Sequence, residues 1–196
     1  SGHNILRVDP QTQKITTLAH QTSMNQPNDL AIGPDETLWA SDPNWAKKTG
    51  QVWRIDADGT TTLVAPNMGT TNGIEVSPDG KTLYVNESAQ RNIWAFTIAE
   101  DKSLTNKRLF KKFDDFGFDG HRCDAKGNLY VTRYGKGTVV KLSPEGEILQ
   151  EINVLGSRPS NLCFGGPDGK TVYVTEVEHT RLVKFRVDEP GVSWTR

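Results

Sequence analysis

Four short polar side chains stand at matching positions of this chain, each at the start of an apolar segment. They are Asn28, Asn72, Asp119 and Asn161. Amide carbonyls and carboxylates are ligands that a hard cation prefers, and calcium takes about six to eight oxygens. If the fold brings these side chains together, they can bind a cation, and the single carboxylate adds a possible general base. The alternative is a turn, because Asn and Asp tolerate left-handed backbone and Gly73 and Gly120 follow two of them.

The same four residues mark the units of an internal repeat. Segments that begin at 28, 72, 119 and 161 align as NDLAIGPDETLWASD, NGIEVSPDGKTLYVNE, DGHRCDAKGNLYVTR and NLCFGGPDGKTVYVTE. Repeats of roughly 40 to 50 residues with four strands each are typical of β-propellers. The first strand of each unit would line the propeller axis, so the four polar side chains are predicted to meet at one mouth of a central channel.

The repeat also predicts the number of strands in this all-β fold. Three units have four strands, the last unit has three, and an isolated pair precedes the first unit, which gives about 17 strands in one domain over residues 1–196. The chain therefore covers about four four-stranded blades. Aromatic residues at one position of the second strand are predicted to pack between blades: Trp39, Tyr84, Tyr130 and Tyr173.

Composition argues against several classes of partner. The 23 basic and 24 acidic residues nearly cancel, so no nucleic-acid or anionic membrane partner is expected. The densest basic stretch, residues 107–112, is predicted to be an outer strand protected by lysines. No apolar run approaches the roughly 18 residues of a membrane span. No targeting signal is recognisable, so both a cytoplasmic and a periplasmic or secreted location stay open.

Other motifs offer no competing chemistry. The chain contains no G-x-S-x-G, H-E-x-x-H or P-loop pattern. The Asp56–Gly59 segment resembles an EF-hand loop only in part, and a hairpin turn explains it better. Cys123 and Cys163 are predicted to be buried free thiols rather than a disulfide, because both lie in apolar strand patterns.

Taken in order, four segments resemble the SMP-30/gluconolactonase/LRE-like family, which includes regucalcin-type lactonases. The segments are QPNDLAI with SDPNW, TTNGIEVSPDGKTLYVNES, FDGHRCDAKGNLYVTRYGKG and PSNLCFGGPDGKTVYVTE, and the resemblance extends over essentially the whole chain. It implies a six-bladed propeller with one divalent cation in its channel, usually Ca²⁺, with Zn²⁺, Mn²⁺ or Mg²⁺ as alternatives. The implied activity is hydrolysis of a sugar lactone or related ester. Relative to the family, an N-terminal part with a glutamate ligand is expected to be absent.

The resemblance implies roles for individual residues. Asn72 and Asp119 are expected to bind the metal, and Asp119 also to act as base or nucleophile. Asn28 is expected beside metal and substrate, whereas Asn161 is expected to be structural. Further substrate contacts are expected from a set of residues near these motifs: Gln26, Glu75, His121 and Arg122.

Some of these residues have a second interpretation. Gln26 replaces an arginine of regucalcin-like sequences, so substrate contacts are expected to differ there. His121 is either a structural histidine or a proton relay beside Asp119, and Arg122 is expected to pair with Glu75 across the channel. Trp45 and the two lysines that follow it, Lys47 and Lys48, are predicted to shape the mouth of the pocket.

Two function classes remain. One is a metal-dependent lactonase that acts on a small-molecule lactone. The other is a non-catalytic propeller or inactive fragment that presents loops to a ligand or partner, since a fold does not determine a function. An exposed blade edge would also allow a second chain or a second copy to complete the propeller. A cation bound by both Asn72 and Asp119 would favour the enzyme.

Overall fold

A computed structural model describes residues 2–195, which form 17 strands and one short 3-10 helix. The strands are β1 (Asn4–Val8), β2 (Ile15–His20), β3 (Leu30–Ile32), β4 (Leu38–Asn44), β5 (Thr49–Ile55), β6 (Thr61–Met68), β7 (Thr71–Val76), β8 (Thr82–Glu87), β9 (Asn92–Ile98), β10 (Leu104–Lys112), β11 (His121–Cys123), β12 (Leu129–Arg133), β13 (Thr138–Leu142), β14 (Ile148–Asn153), β15 (Pro159–Gly165), β16 (Thr171–Glu176) and β17 (Arg181–Arg186). The helix is Val192–Trp194. Among the described residues, no helix is long and apolar enough to cross a membrane.

The strands form five antiparallel sheets in chain order. Strands β3 to β6, β7 to β10 and β11 to β14 form three four-stranded sheets, whereas β1–β2 and β15–β17 form sheets of two and three strands. Each strand pairs with its neighbour in sequence, as in the blades of a propeller. The predicted all-β propeller, with its strand number and its division among blades, is confirmed.

The first strands of successive blades contact one another in the middle of the molecule. Strand β7 contacts both β3 and β11, and β11 contacts β15. Every residue of β7 is buried, because the strand is covered on both faces by its neighbours. The residues that precede or begin these inner strands therefore lie at one end of the propeller axis.

Aromatic side chains fill the space between blades. The ring of Tyr84 contacts that of Phe110 in a tilted arrangement, with ring centroids 4.9 Å apart, and packs in one cluster with strands β12 and β13 of the next blade. Tyr130 similarly meets Phe164 of the last blade edge to face at 5.3 Å. Burial of such a ring stabilises the fold by about 1.5–3 kcal/mol. Packing between blades is thus confirmed for three of the aligned aromatics, whereas Tyr173 is only half-buried.

Buried acids at the end of the second strand hold the loop that leads to the first strand. They are Asp42, Glu87 and Glu176, and each accepts a backbone N–H from that loop. The third full blade instead has Arg133, which is fully buried and donates to the Asp115 carboxylate at 2.6 Å and to its carbonyl at 2.7 Å. These contacts fix the segments that carry the polar leaders.

Three smaller predictions can be scored. Strand β10, which contains the basic stretch, is the outer strand of its sheet, as predicted. The Asp56–Gly59 segment is a hairpin turn, in which Gly59 has φ 88° and donates to the Asp56 carbonyl at 2.9 Å. Both cysteines are free and Cys123 is buried, but the predicted burial of Cys163 is wrong, because its side of the last, three-stranded sheet is not covered by a following blade.

Candidate active site

A cavity of about 400 Å³ lies where the first strands of the blades begin. Its walls include Asn28, Asn72 and Asp119, so three of the four polar leaders meet as the repeat predicts. The fourth, Asn161, does not line the cavity, and its Oδ1 accepts a hydrogen bond from the Leu162 N–H at 2.8 Å. The rest of the wall is formed by side chains and backbone of the loops around it: Trp45, Ser88, Gly117, Phe118 and Tyr134.

Asn72 is buried inside β7, with 3% of its surface exposed. Its Nδ2 donates to the Ser88 Oγ at 3.1 Å, whereas its Oδ1 has no hydrogen-bonding partner among the described residues. A buried carbonyl without a partner costs about 1–3 kcal/mol, so native proteins rarely contain one without a reason. An amide oxygen of this kind on a cavity wall has the chemistry of a ligand for a hard cation.

The glycines after the leaders do not form the turns considered above. Neither Gly73 nor Gly120 has a positive φ. A Cβ on Gly73 would lie 2.5 Å from the Asp119 carbonyl and 2.7 Å from Asn86 Nδ2, and one on Gly120 would overlap the Asn161 side chain. The glycines are therefore present because neighbouring inner strands approach closely, and the interpretation of Asn72 as a turn residue is wrong.

Asp119 is a half-buried carboxyl with an unusual pKa. Its pKa is raised to about 7, mainly by burial; a hydrogen bond with the Asn72 side chain offsets part of the rise, and the charge of Asp29 adds to it. A bound cation favours the ionised form of a nearby carboxyl and would reverse this shift. The unpaired Asn72 oxygen and the Asp119 carboxyl, on one cavity wall, thus fit a divalent cation.

Glu75 and Arg122 line a different cavity, of about 200 Å³. The predicted pair is present but long, with Arg122 Nε 3.9 Å from Glu75 Oε2. The main partner of Arg122 is Asp29, which accepts from both terminal nitrogens at 3.0 Å. Such a bidentate contact is strong and directional. Sequence reasoning missed Asp29, although this acid directly follows Asn28.

His121 and Gln26 also lie outside the walls of the larger cavity. His121 is fully buried, its Nδ1 lies 3.1 Å from Asn86 Nδ2, and burial lowers its pKa to about 4. The imidazole is therefore neutral at physiological pH. Gln26 is exposed, and its backbone N–H donates to Asp42 Oδ1 at 2.5 Å. Trp45 lines the mouth as predicted, whereas Lys47 and Lys48 do not.

Within residues 2–195, one group of three histidine and carboxylate side chains is close enough to share an ion. It consists of Glu176, Glu178 and His179 at the end of β16. Glu176 already accepts the backbone N–H groups of Glu178 and His179, at 2.9 and 3.0 Å. We interpret this group as a loop contact equivalent to those of Asp42 and Glu87. The larger cavity differs because one of its oxygens, Oδ1 of Asn72, has no hydrogen-bonding partner among the described residues.

Fold and cavity together define a β-propeller with a polar site where its inner strands begin. The model of the SMP-30/gluconolactonase/LRE-like region matches residues 1–178, and the chain belongs to this family. The chain is 27% identical over 169 residues to the 6-deoxy-6-sulfogluconolactonase of Pseudomonas putida, covering 83% of this chain and 58% of that protein. It is 28% identical over 207 residues to the gluconolactonase of Zymomonas mobilis, covering 93% and 57%.

Solved structures show the same fold. Regucalcin of Agrobacterium tumefaciens, described as a calcium-binding protein, superimposes with a TM-score of 0.85 at 22% identity, covering 97% of this chain and 72% of that one. The chain spans about three fifths of the length of the two lactonases above. Several named relatives of this chain are sugar lactonases.

Proposed function

We propose that this chain carries the active site of a hydrolase that opens a sugar lactone or a related ester. The reaction depends on a divalent cation, and Ca²⁺ is the first candidate. One observation carries the proposal. A single cavity brings together the unpaired Asn72 oxygen and the Asp119 carboxyl with a pKa of about 7. The names of the relatives support lactones as the substrate class.

In this proposal Asn72 and Asp119 hold the cation and Asn28 lies beside it. When bound, the cation supplies Lewis-acid chemistry, which polarises a carbonyl. Asp119 accepts a proton from water, the water oxygen bonds to the lactone carbonyl carbon, and the ring C–O bond breaks. The proton then passes to the leaving ring oxygen. With the cation bound, Asp119 would be ionised at neutral pH and able to accept this proton.

The other cavity residues orient the substrate. Asn28 is exposed and can hydrogen-bond to hydroxyl groups of the lactone. The rings of Trp45 and Tyr134 provide apolar walls at the rim, which is common in ligand sites that also have a few polar groups. We assign Gln26 to the outer approach, and we assign Glu75, His121 and Arg122 to support of the inner strands.

The test is hydrolysis of D-glucono-δ-lactone, followed by acid release in a pH-stat, with metal-free protein and with added Ca²⁺. Asp119→Asn is expected to reduce kcat by at least about 100-fold, since general-base catalysis contributes about 10²–10⁴. The matched control is Asp58→Asn, in an exposed hairpin turn, which is expected to leave the rate unchanged. Full activity of Asp119→Asn would contradict the assignment. Calcium binding without hydrolysis of lactones or esters would instead identify a non-catalytic propeller.

A further inference from the structure

We infer that Ser88 is a positioning residue for the proposed metal ligands: its hydroxyl orients the Asn72 amide and holds the peptide that precedes Asp119. The inference rests on the proposed function of the cavity. Ser88 directly follows β8 and is half-buried on the cavity wall, and the family resemblance gave it no role.

The Ser88 hydroxyl has two defined partners. It donates to the Phe118 carbonyl at 2.5 Å and accepts from Asn72 Nδ2 at 3.1 Å. A hydroxyl can donate one hydrogen bond, and here the Phe118 carbonyl accepts it. Ser88 can therefore only accept from Asn72, so it must face the NH₂ end of that amide. The Oδ1 end is left as the atom without a partner, which is the atom a cation needs.

The same contact reaches the other proposed ligand. Phe118 immediately precedes Asp119, so the bond to its carbonyl fixes the peptide that enters Asp119. Asn86, two residues before Ser88, donates to the Asp119 carbonyl itself at 2.6 Å. The end of β8 thus hydrogen-bonds to the backbone carbonyls of both residue 118 and residue 119 of the next blade.

The Ser88 contact distinguishes the second blade from the other repeats. At the position of Asn86 the other blades have hydroxyl side chains, and each bonds to the backbone at or just before the first strand of its own blade: Ser41, Thr132 and Thr175. Thr132 also donates to the Ser160 carbonyl of the next blade at 3.3 Å. At the position of Ser88 the other blades have Pro43, Tyr134 and Val177, none of which has a hydroxyl on Cβ. The contact of a Cβ hydroxyl with the residue before the next polar leader is therefore found, among the described blades, where the two proposed ligands face each other.

Removal of the hydroxyl would release both contacts. The Phe118 carbonyl and Asn72 Nδ2 would each lose a partner. The hydrogen bond with the Asp119 side chain would then be left to orient the Asn72 amide, so its oxygen would be less well fixed toward the cation. Partners that orient metal ligands typically contribute 10- to 100-fold to affinity. We therefore expect Ser88→Ala to weaken Ca²⁺ binding by about 10- to 100-fold.

The experiment is calorimetric titration of Ca²⁺ into the metal-free chain and four variants. Ser88→Ala is the test, Ser88→Thr retains the hydroxyl, and Asn72→Ala removes a proposed ligand. Ser77→Ala is the matched control, because its hydroxyl makes two comparable hydrogen bonds in a hairpin turn of the same blade, to Asp79 at 2.6 Å and from the Thr82 N–H at 2.9 Å. We expect weak binding by Ser88→Ala and near wild-type binding by Ser88→Thr and Ser77→Ala.

A second measurement needs no metal. The side-chain NH₂ signals of Asn72, identified by their loss in Asn72→Ala, should exchange with water faster in Ser88→Ala and not in Ser77→Ala. Unchanged exchange and unchanged Ca²⁺ affinity in Ser88→Ala, with weak binding by Asn72→Ala, would overturn this inference and leave the metal site standing. Equal weakening by Ser77→Ala would also overturn it, since general destabilisation would then explain the effect. A wild-type chain that binds no Ca²⁺ would remove the metal site and this inference together.

Discussion

At the scale of single residues, the cavity contains a carboxyl with a raised pKa and an amide oxygen without a hydrogen-bonding partner. A solvent-exposed surface would not show either feature. The Asp119 carboxyl has a pKa of about 7 because burial penalises its charge, while the Asn72 oxygen next to it on the wall has no partner. Each feature costs stability in the metal-free chain. A cation would remove both costs at once, which links metal binding to stability.

The raised pKa of Asp119 predicts a pH dependence with a defined sign. Between pH 3.8, the ordinary pKa of this group, and about pH 7, Asp119 is protonated in the folded chain and ionised in the unfolded chain. The folded state therefore binds more protons than the unfolded state in that range. Metal-free wild type should therefore lose stability relative to Asp119→Asn as the pH rises from about 4 to about 7. Urea unfolding at several pH values measures the difference, and His121, with its pKa lowered to about 4, contributes equally to both proteins and cancels. A constant difference across this range would contradict the raised pKa.

Close approach between inner strands gives a second prediction at this scale. Gly73→Ala places a methyl group 2.5 Å from the Asp119 carbonyl, so β7 and the Asp119 peptide must separate. We expect a loss of about 1–3 kcal/mol in the free energy of unfolding, as for other overpacked sites. Gly165→Ala is the matched control, because its nearest contact is the edge of the Tyr173 ring at 3.3 Å. If chemical denaturation gives equal, small losses of the free energy of unfolding for both variants, the close approach of the strands does not exclude a methyl group at residue 73.

At the scale of strands, Asp29 joins three inner strands that belong to different blades. It precedes β3, accepts the Ile74 N–H of β7 at 3.4 Å, and holds Arg122 of β11 with two bonds of 3.0 Å. An ion pair that is mostly withdrawn from water is costly to break, because the remaining charge has lost its partner. The pair therefore fixes the relative positions of the strands that carry Asn72 and Asp119.

This arrangement predicts a strong effect of a single substitution. Arg122→Met leaves the buried Asp29 carboxylate without its cation and should lower the free energy of unfolding by about 3–5 kcal/mol. Adding Asp29→Asn should recover part of the loss. The control Arg186→Met breaks an exposed pair with Asp168 and should cost no more than about 1 kcal/mol. Thermal and urea unfolding of the four proteins gives these values. A loss below about 1 kcal/mol for Arg122→Met would show that the buried Asp29 carboxylate does not need Arg122 as its partner.

The strands were predictable from sequence, but the contacts between them were not. The alternation of turns and apolar segments predicts all 17 strands, because each is a local pattern. The gathering of Asn28, Asn72 and Asp119 follows from the repeat alone. Asp29 as the partner of Arg122, the reason for Gly73 and the position of Ser88 depend on distances between blades, which no local pattern encodes.

At the scale of the whole molecule, the outermost sheets present apolar side chains to solvent. Val8 of β1 and Ile15 of β2 are 57% and 62% exposed, and Leu182 of β17 is 69% exposed. A further apolar cavity of about 460 Å³ lies between the β1–β2 ribbon and the first full blade. The net charge of −1 provides little repulsion between copies of the chain. Apolar side chains that are exposed on an uncovered sheet favour association.

We therefore predict that the 196-residue chain self-associates through these outer sheets. Sedimentation velocity should show a concentration-dependent increase in mass, and the double variant Val8→Lys/Leu182→Lys should shift the chain toward monomer, because a buried charge opposes association. The matched control is Leu109→Lys, since Leu109 is 48% exposed but lies on β10 among basic residues that already oppose edge pairing. A chain that stays monomeric at all concentrations, or one that Leu109→Lys dissociates equally well, would exclude the outer sheets as the contact.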